Sequence, residues 1–158
     1  MSKNILNIVE KKTWVPGARE DPYLSFNFVV EINGIVVAGF TDVSGLSIET
    51  QVERKTFGGE NHTEYAFITQ TKYSDITLKH GITSDDYLWT WYQNVINGVV
   101  ERRNGSICLL DHSGNPKLWW DFLEACPIKW EGPAFSATSS TVAAETLVLT
   151  HNGLHMHK

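Results

Sequence analysis

Residues 83–98, TSDDYLWTWYQNVING, read as a helix in a chain whose other apolar segments alternate like strands, so the rest must pack against them. Leu88, Trp91, Tyr92, Val95 and Ile96 recur at spacings of three and four, which gathers them on one face of a 3.6-residue spiral. A hydroxyl from Thr83 or Ser84 is expected to cap the amino end. Asp85 and Asp86 then lie in the first turn and Gly98 follows the last one. Burying the four core candidates Leu88, Trp91, Tyr92 and Val95 contributes roughly 1.5–3 kcal/mol per side chain, a sum on the scale of a domain's whole net stability. That face is a core element rather than a catalytic one.

The strands follow from period-two alternation. Leu24, Phe26, Phe28, Val30 and Ile32 alternate with polar neighbours, and Asn33-Gly34 suits a type I′ turn, so residues 35–40 are expected to fold back as a hairpin. Residues 41–45 read as a turn. Leu46, Ile48, Thr50, Val52 and Arg54 then form a long strand that ends at Phe57-Gly58-Gly59. Residues 60–74 are polar, with short strand positions at Tyr65, Phe67 and Ile68, and 75–80 form a strand leading into the helix. Beyond the helix, 106–110 and 116–123 flank the turn at Asp111. Residues 128–130 continue briefly, and 142–151 make a last strand. Seven or eight strands and one helix imply a mainly β chain, either two antiparallel sheets or a partly closed barrel, with the helix covering an open flank. The expected organisation is an arm over 1–21, one domain over 22–153 and a tail over 154–158. Such a subunit has open sheet edges, and pairing them with identical neighbours around a closed ring removes that liability.

The chain has 158 residues and a formal net charge of −5, with Lys and Arg clustered only at Lys11-Lys12 and Arg102-Arg103, which argues against sequence-specific nucleic-acid binding. Without a secretion signal or a long apolar run, synthesis in the cytoplasm, no membrane anchor and free thiols at Cys108 and Cys126 are expected. The sequence holds no nucleophile elbow, phosphate loop, dinucleotide fingerprint or zinc-protease motif, so no enzyme, cofactor or metal is expected. His151, His155 and His157 have ligand-like spacing but no nearby carboxylate in sequence, which favours a mobile or interfacial tail over a metal site. Asp111-His112 fits a turn better than a catalytic dyad. Trp89, Trp91, Trp119, Trp120 and Trp130 lie in regular elements, where packing outweighs a sugar-binding platform, although a carbohydrate-binding β-sandwich stays as a distant alternative. Arg102-Arg103 suits carboxylates or carbonyls of a neighbouring subunit.

Several short motifs occur together in order. They are Phe40 with Val43-Ser44-Gly45-Leu46, Leu78-Lys79-His80-Gly81, Leu88-Trp89 with Trp91, Arg102-Arg103, Leu110-Asp111 with Gly114, Ala125 with Pro127, Gly132-Pro133, and Val142 through Glu145 to Leu149. In this order, from about Tyr23 to Gly153, they resemble the gp19-like tail tube family, the inner-tube proteins of contractile phage tails and phage-derived contractile injection systems. The resemblance implies a tail-tube (Hcp-like) fold and a structural role. Six copies would form a ring around a lumen, rings would stack into a tube, and a contracting sheath would drive it into a target. The implied partners are further copies, sheath and baseplate proteins, and cargo or DNA in the lumen. By position, Val43, Ser44, Gly45, Leu46, Ile48, Val52, Arg54, Phe57, Gly58 and Gly59 would reach neighbouring subunits and the next ring, with Arg102 and Arg103 as further interface residues. Residues 142–149 would contribute to the barrel. Gln70-Thr71 stands where Pro-Gly is frequent, Cys126 stands where an aromatic is frequent, and the lead-in is long. These departures point to the alternative of a tube-initiating or adaptor ring on the baseplate.

Overall fold

The computed structural model describes residues 27–37, 39–59, 63–82 and 84–158. The arm over 1–21, Leu24, Phe26 and the Thr83 cap lie outside the described residues. Ten strands and one helix follow in chain order: β1 Phe28–Ile32, β2 Ile35–Val37, β3 Phe40–Ser44, β4 Ile48–Thr56, β5 Glu64–Tyr73, β6 Ile76–Gly81, α1 Tyr87–Ile96, β7 Arg103–Leu110, β8 Pro116–Glu131, β9 Ala144–Thr150 and β10 Gly153–His157.

The hairpin at Asn33-Gly34 forms as expected: both residues have positive φ, 54° and 79°, and Val30 pairs with Val37. It ends at Val37, however, so Phe40 does not belong to it. Phe40 opens β3, an antiparallel partner of β6, where the sequence pattern suggested a turn over 41–45. The main sheet runs β2-β1-β7-β8-β9-β6-β3, with β10 also on β8, and it does not close into a barrel among the described residues. The second sheet is the two-stranded pair β4–β5.

The 16-residue β8 is the spine of the main sheet. Its first half carries β7 on one edge and β10 on the other, and its second half carries β9. Near the middle, Glu124 adopts φ 51°, rare for a residue with a side chain. Its neighbours hold it there. The Glu124 amide donates to Asn104 Oδ1 at 2.8 Å, Arg102 Nη1 donates to its carbonyl at 3.0 Å, and Asn152 Nδ2 donates to its carboxylate at 2.7 Å. Opposite this bend, β9 and β10 form one line broken at His151-Asn152, with Thr150 facing Cys126 and Gly153 facing Leu123. The final residues are thus a sheet strand at a margin of the main sheet, which corrects the mobile one of the two expectations from the HxH spacing.

The core lies on one face of this sheet. Val30, Ile32, Ile76, Leu78, Phe122, Leu147 and Leu149 are buried there, and α1 adds Leu88 and Trp91. The indole Nε1 of Trp91 donates to the Glu101 carbonyl at 2.8 Å, so its single polar atom is satisfied inside the core. Tyr92 packs against the core with partial exposure, and Val95 is likewise partly buried. Ile96, expected on the same face, is 63% exposed. At about 100° per residue it stands roughly 140° around the helix from Trp91.

The helix also starts later than its sequence suggests. Asp86 is the N-cap but makes no side-chain cap bond, and no acidic residue lies in the first turn. Asp85 Oδ1 instead accepts the Tyr87 amide at 3.0 Å, a local turn that delays helix entry and displaces Ser84 from the capping role. Gly98 past the end has φ 85°, the left-handed conformation expected of it.

Candidate assembly interface

The β4–β5 ribbon leaves the body at Gly45. This glycine has φ 89°, and a Cβ there would lie 2.0 Å from the Asp75 carbonyl oxygen, so the close approach of the two chain segments at the ribbon's root excludes any side chain. The Ser47 amide donates to the Gly45 carbonyl at 2.8 Å and the Ser74 amide to the Ser47 carbonyl at 3.1 Å, closing the root. Between root and tip, Ile48 pairs with Tyr73, Thr50 with Thr71, Val52 with Ile68 and Arg54 with Ala66. The register shifts by one between Thr50 and Val52, a bulge that adds twist.

Every residue of β4 and β5 is exposed. Side chains alternate between faces along a strand. One face of the ribbon therefore carries Ile48, Val52, Ile68 and Tyr73. The other carries Glu49, Glu53, Lys55, Lys72 and, toward the tip, an aromatic group in which Phe57 meets Tyr65 edge-on at 5.7 Å and Phe67 at 6.3 Å. Ile68 is 78% exposed, the most of the aliphatic residues on the ribbon. The side-chain polar contacts lie in solvent: Thr50 and Thr71 hydroxyls at 3.2 Å, Thr69 Oγ1 donating to the Gln51 carbonyl at 3.1 Å, Arg54 with Glu64 at 3.5 Å and Lys55 with Glu53 at 3.3 Å. Exposed pairs of this kind add little stability.

The residues singled out from the sequence divide between body and ribbon. Val43 and Leu46 pack against the core, Ser44 ends β3, and Gly45 forms the root. Ile48, Val52, Arg54, Phe57, Gly58 and Gly59 stand exposed on the ribbon or at its tip. Arg102 is exposed and serves the Glu124 carbonyl. Arg103 lies mostly buried, its guanidinium 4.8 Å from the Tyr87 ring centre and 4.9 Å from that of Trp91, with Nη2 bonded to Glu101 at 3.0 Å. That bond holds the Glu101 carboxyl below its ordinary range. Sequence reading missed that β5 forms half of the ribbon, so Phe67, Ile68 and Tyr73 belong with the candidates. The short strand positions at Tyr65, Phe67 and Ile68 were the available signal.

The other chemical candidates have structural uses. Asp111 caps its own turn, accepting the Ser113 and Asn115 amides at 2.8 and 2.9 Å, and the Asn115 amide leads in lowering its carboxyl's affinity for a proton. Cys108 and Cys126 are free and buried, and burial raises the Cys108 thiol above its usual value. Among the described residues no group of three His, Cys, Asp or Glu side chains is placed to hold a metal, and no helix is long and apolar enough to cross a membrane. Trp91 is buried and Trp89, Trp119, Trp120 and Trp130 are partly so, with Trp89 against Trp130 at 4.6 Å and Trp119 stacked on His157 at 5.5 Å. None of these is an open platform for a sugar.

No curated protein matches the chain. Among solved structures, it is similar to a chain from the baseplate of the anti-feeding prophage, with 26% identity and a TM-score of 0.80 over 88% of this chain and 97% of that one. It is similar to a chain from the sheath-tube complex of an extracellular contractile injection system in its extended state, with 26% identity and a TM-score of 0.77 over 87% and 93%. Hcp1 from Flavobacterium johnsoniae shares the fold, with 19% identity and a TM-score of 0.53 over 83% and 94%. Residues 24–155, most of the chain, match the family described as T4-like virus tail tube protein gp19, and the chain belongs to that family.

Proposed function

We propose that the chain is a structural, non-catalytic subunit of the inner tube of a contractile phage tail or injection system. In this reading six copies close a ring by joining the sheet margins at β2, β3 and β10, and the ribbon reaches into neighbouring copies as rings stack around a lumen that holds cargo or DNA. Sheath contraction then drives the tube into its target. The chain is made in the cytoplasm before it joins the particle. The observation that carries the reading is the ribbon, exposed along both strands, with Ile48, Val52, Ile68 and Tyr73 on one face and an aromatic cluster at the tip of the other. A two-stranded hairpin is marginal in water unless something covers it.

Electron microscopy of the concentrated protein tests this. Sixfold rings and stacked tubes are expected, and single subunits under all conditions would overturn it. A chain whose ribbon is cut back between residues 49 and 72 and rejoined by a short turn is expected to keep a folded body and lose stacking. A second reading, a tube-initiating ring on the baseplate, draws support from the likeness to the baseplate chain, which is as close in identity as that to the sheath-tube chain. Immunogold along whole particles separates the two, because label confined to one end fits only the ring.

A further inference from the structure

His151 is buried at the break between β9 and β10, and both of its ring nitrogens face carbonyl oxygens: Nδ1 lies 2.9 Å from the Gly153 carbonyl and Nε2 lies 2.9 Å from the Ser74 carbonyl. A neutral imidazole has one N–H, so it can donate to one of them while turning a lone pair toward the other. A ring carrying two N–H groups donates to both. Ser74 follows β5 directly and its amide bonds Ser47, so this one side chain ties the root of the ribbon to the seam of the body. Tyr73, the last residue of β5, lies against the same ring at 5.6 Å.

We propose that His151 is the positioning residue of the ribbon: its imidazole, set between the Ser74 and Gly153 carbonyls, fixes the ribbon's root to the seam between β9 and β10. The proposal rests on the ribbon acting as the contact between copies. Among the described residues the polar partners of the imidazole are main-chain carbonyls, and the Tyr73 ring lies against it. A ribbon fixed at its root meets a neighbouring copy in one orientation, and one free to swing pays the ordering entropy at each contact.

The test is amide hydrogen exchange on the full chain at dilution, with tube formation followed in parallel, for the wild type, His151→Gln and His151→Leu. In the wild type, root amides including Ser47 and Ser74 are expected to exchange more slowly than amides at the ribbon tip. In His151→Leu, which removes the donor to those carbonyls, root exchange is expected to be about tenfold faster than wild type, the factor set by losing one hydrogen bond of ordinary strength. In His151→Gln, which restores a donor, it is expected to fall between. Tube formation should need higher protein concentration in the same order. Equal root exchange in all three chains would overturn the anchoring role. If a variant fails to fold, wild-type root amides that exchange as fast as those at the ribbon tip overturn it. If the wild type forms no tubes, the proposed function fails while the exchange data still decide the anchor.

Discussion

The body and the ribbon use apolar residues in opposite ways. In the body, Ile32, Ile76, Leu78, Phe122 and Leu149 are fully buried, and α1 closes the sheet with Trp91. In the ribbon, β4 and β5 pair only with each other among the described residues, and Ile48, Val52, Phe57 and Ile68 are about half exposed or more. Both regions are strands with good local propensity. Only the first gains burial energy within one copy, which is the main term offsetting the entropy of ordering a chain. In the proposed assembly, hydrophobic residues would therefore serve two populations of contact, one inside the subunit and one made only between copies.

The largest effect expected on this contrast comes from Trp91→Ala. Removing a fully buried indole, together with its bond to Glu101 and its contact with Arg103, should cost roughly 3–5 kcal/mol, a large part of a domain's stability. Chemical denaturation measures it, and an unchanged midpoint would show that the helix does not close the core. Gly45→Ala should cost less, about 1–3 kcal/mol, since the new methyl meets a main-chain carbonyl and the backbone is left-handed there. Gly58→Ala at the ribbon tip meets nothing within 4 Å and should leave the midpoint in place. Equal effects at the two glycines would mean that the root is not the fixed point of the ribbon.

On the ribbon face itself, Ile68→Asp should change the stability of one subunit by no more than about 0.5 kcal/mol, because nothing in the subunit packs on it. Its effect should fall on assembly, where the charge would be buried against a neighbour. Sedimentation together with a melting curve separates the two outcomes. A large loss of stability in the dilute subunit would break the division between body and ribbon, and unimpaired tubes would show that this face stays in water.

The same division explains what could be read from the sequence. The helix and the Asn33-Gly34 hairpin were visible because local chemistry and burial agree there. β4 was visible through alternation alone, although none of its residues is buried, whereas β5 showed only as short strand positions at Tyr65, Phe67 and Ile68, because the register shift opposite Thr50 and Val52 breaks its alternation and its threonines and lysine read as loop. β3 hid behind Ser44-Gly45, whose turn chemistry is real but belongs to the ribbon's root, one residue beyond the strand. β8 read as two pieces because Glu124 bends it and Pro127 breaks its regular pairing, although both halves are one strand. β10 looked like a tail because His155 and His157 are polar and exposed, while Leu154, buried beneath them, is its single core residue. The expectation that residues 43–59 reach a neighbouring copy came from family resemblance, whereas the two-sided character of the ribbon's surface required the register.

The smallest expected effect concerns the hairpin ends. The turn joining β7 and β8 is held by its own side chain and by Asn27: Asp111 accepts two main-chain amides and lies 3.6 Å from Lys117, and Asn27 Nδ2 donates to the Asp111 carbonyl at 2.6 Å. The Asn115 amide leads in keeping the Asp111 carboxyl ionised to lower pH than an ordinary aspartate. A group whose folded value is depressed contributes stability above the unfolded range and loses it as pH falls through the folded value. The Ser113 and Asn115 amides should therefore stay protected through the ordinary aspartate range and open only below it. In Asp111→Asn, which keeps an acceptor oxygen but does not titrate, acidification should leave their protection unchanged relative to β7. Carboxyl carbon shifts followed by NMR give the titration directly. A wild-type Asp111 that titrates like a free aspartate would mean that this turn needs outside support as well. In that case dependence on a neighbouring copy would reach beyond the ribbon into the body's own connections.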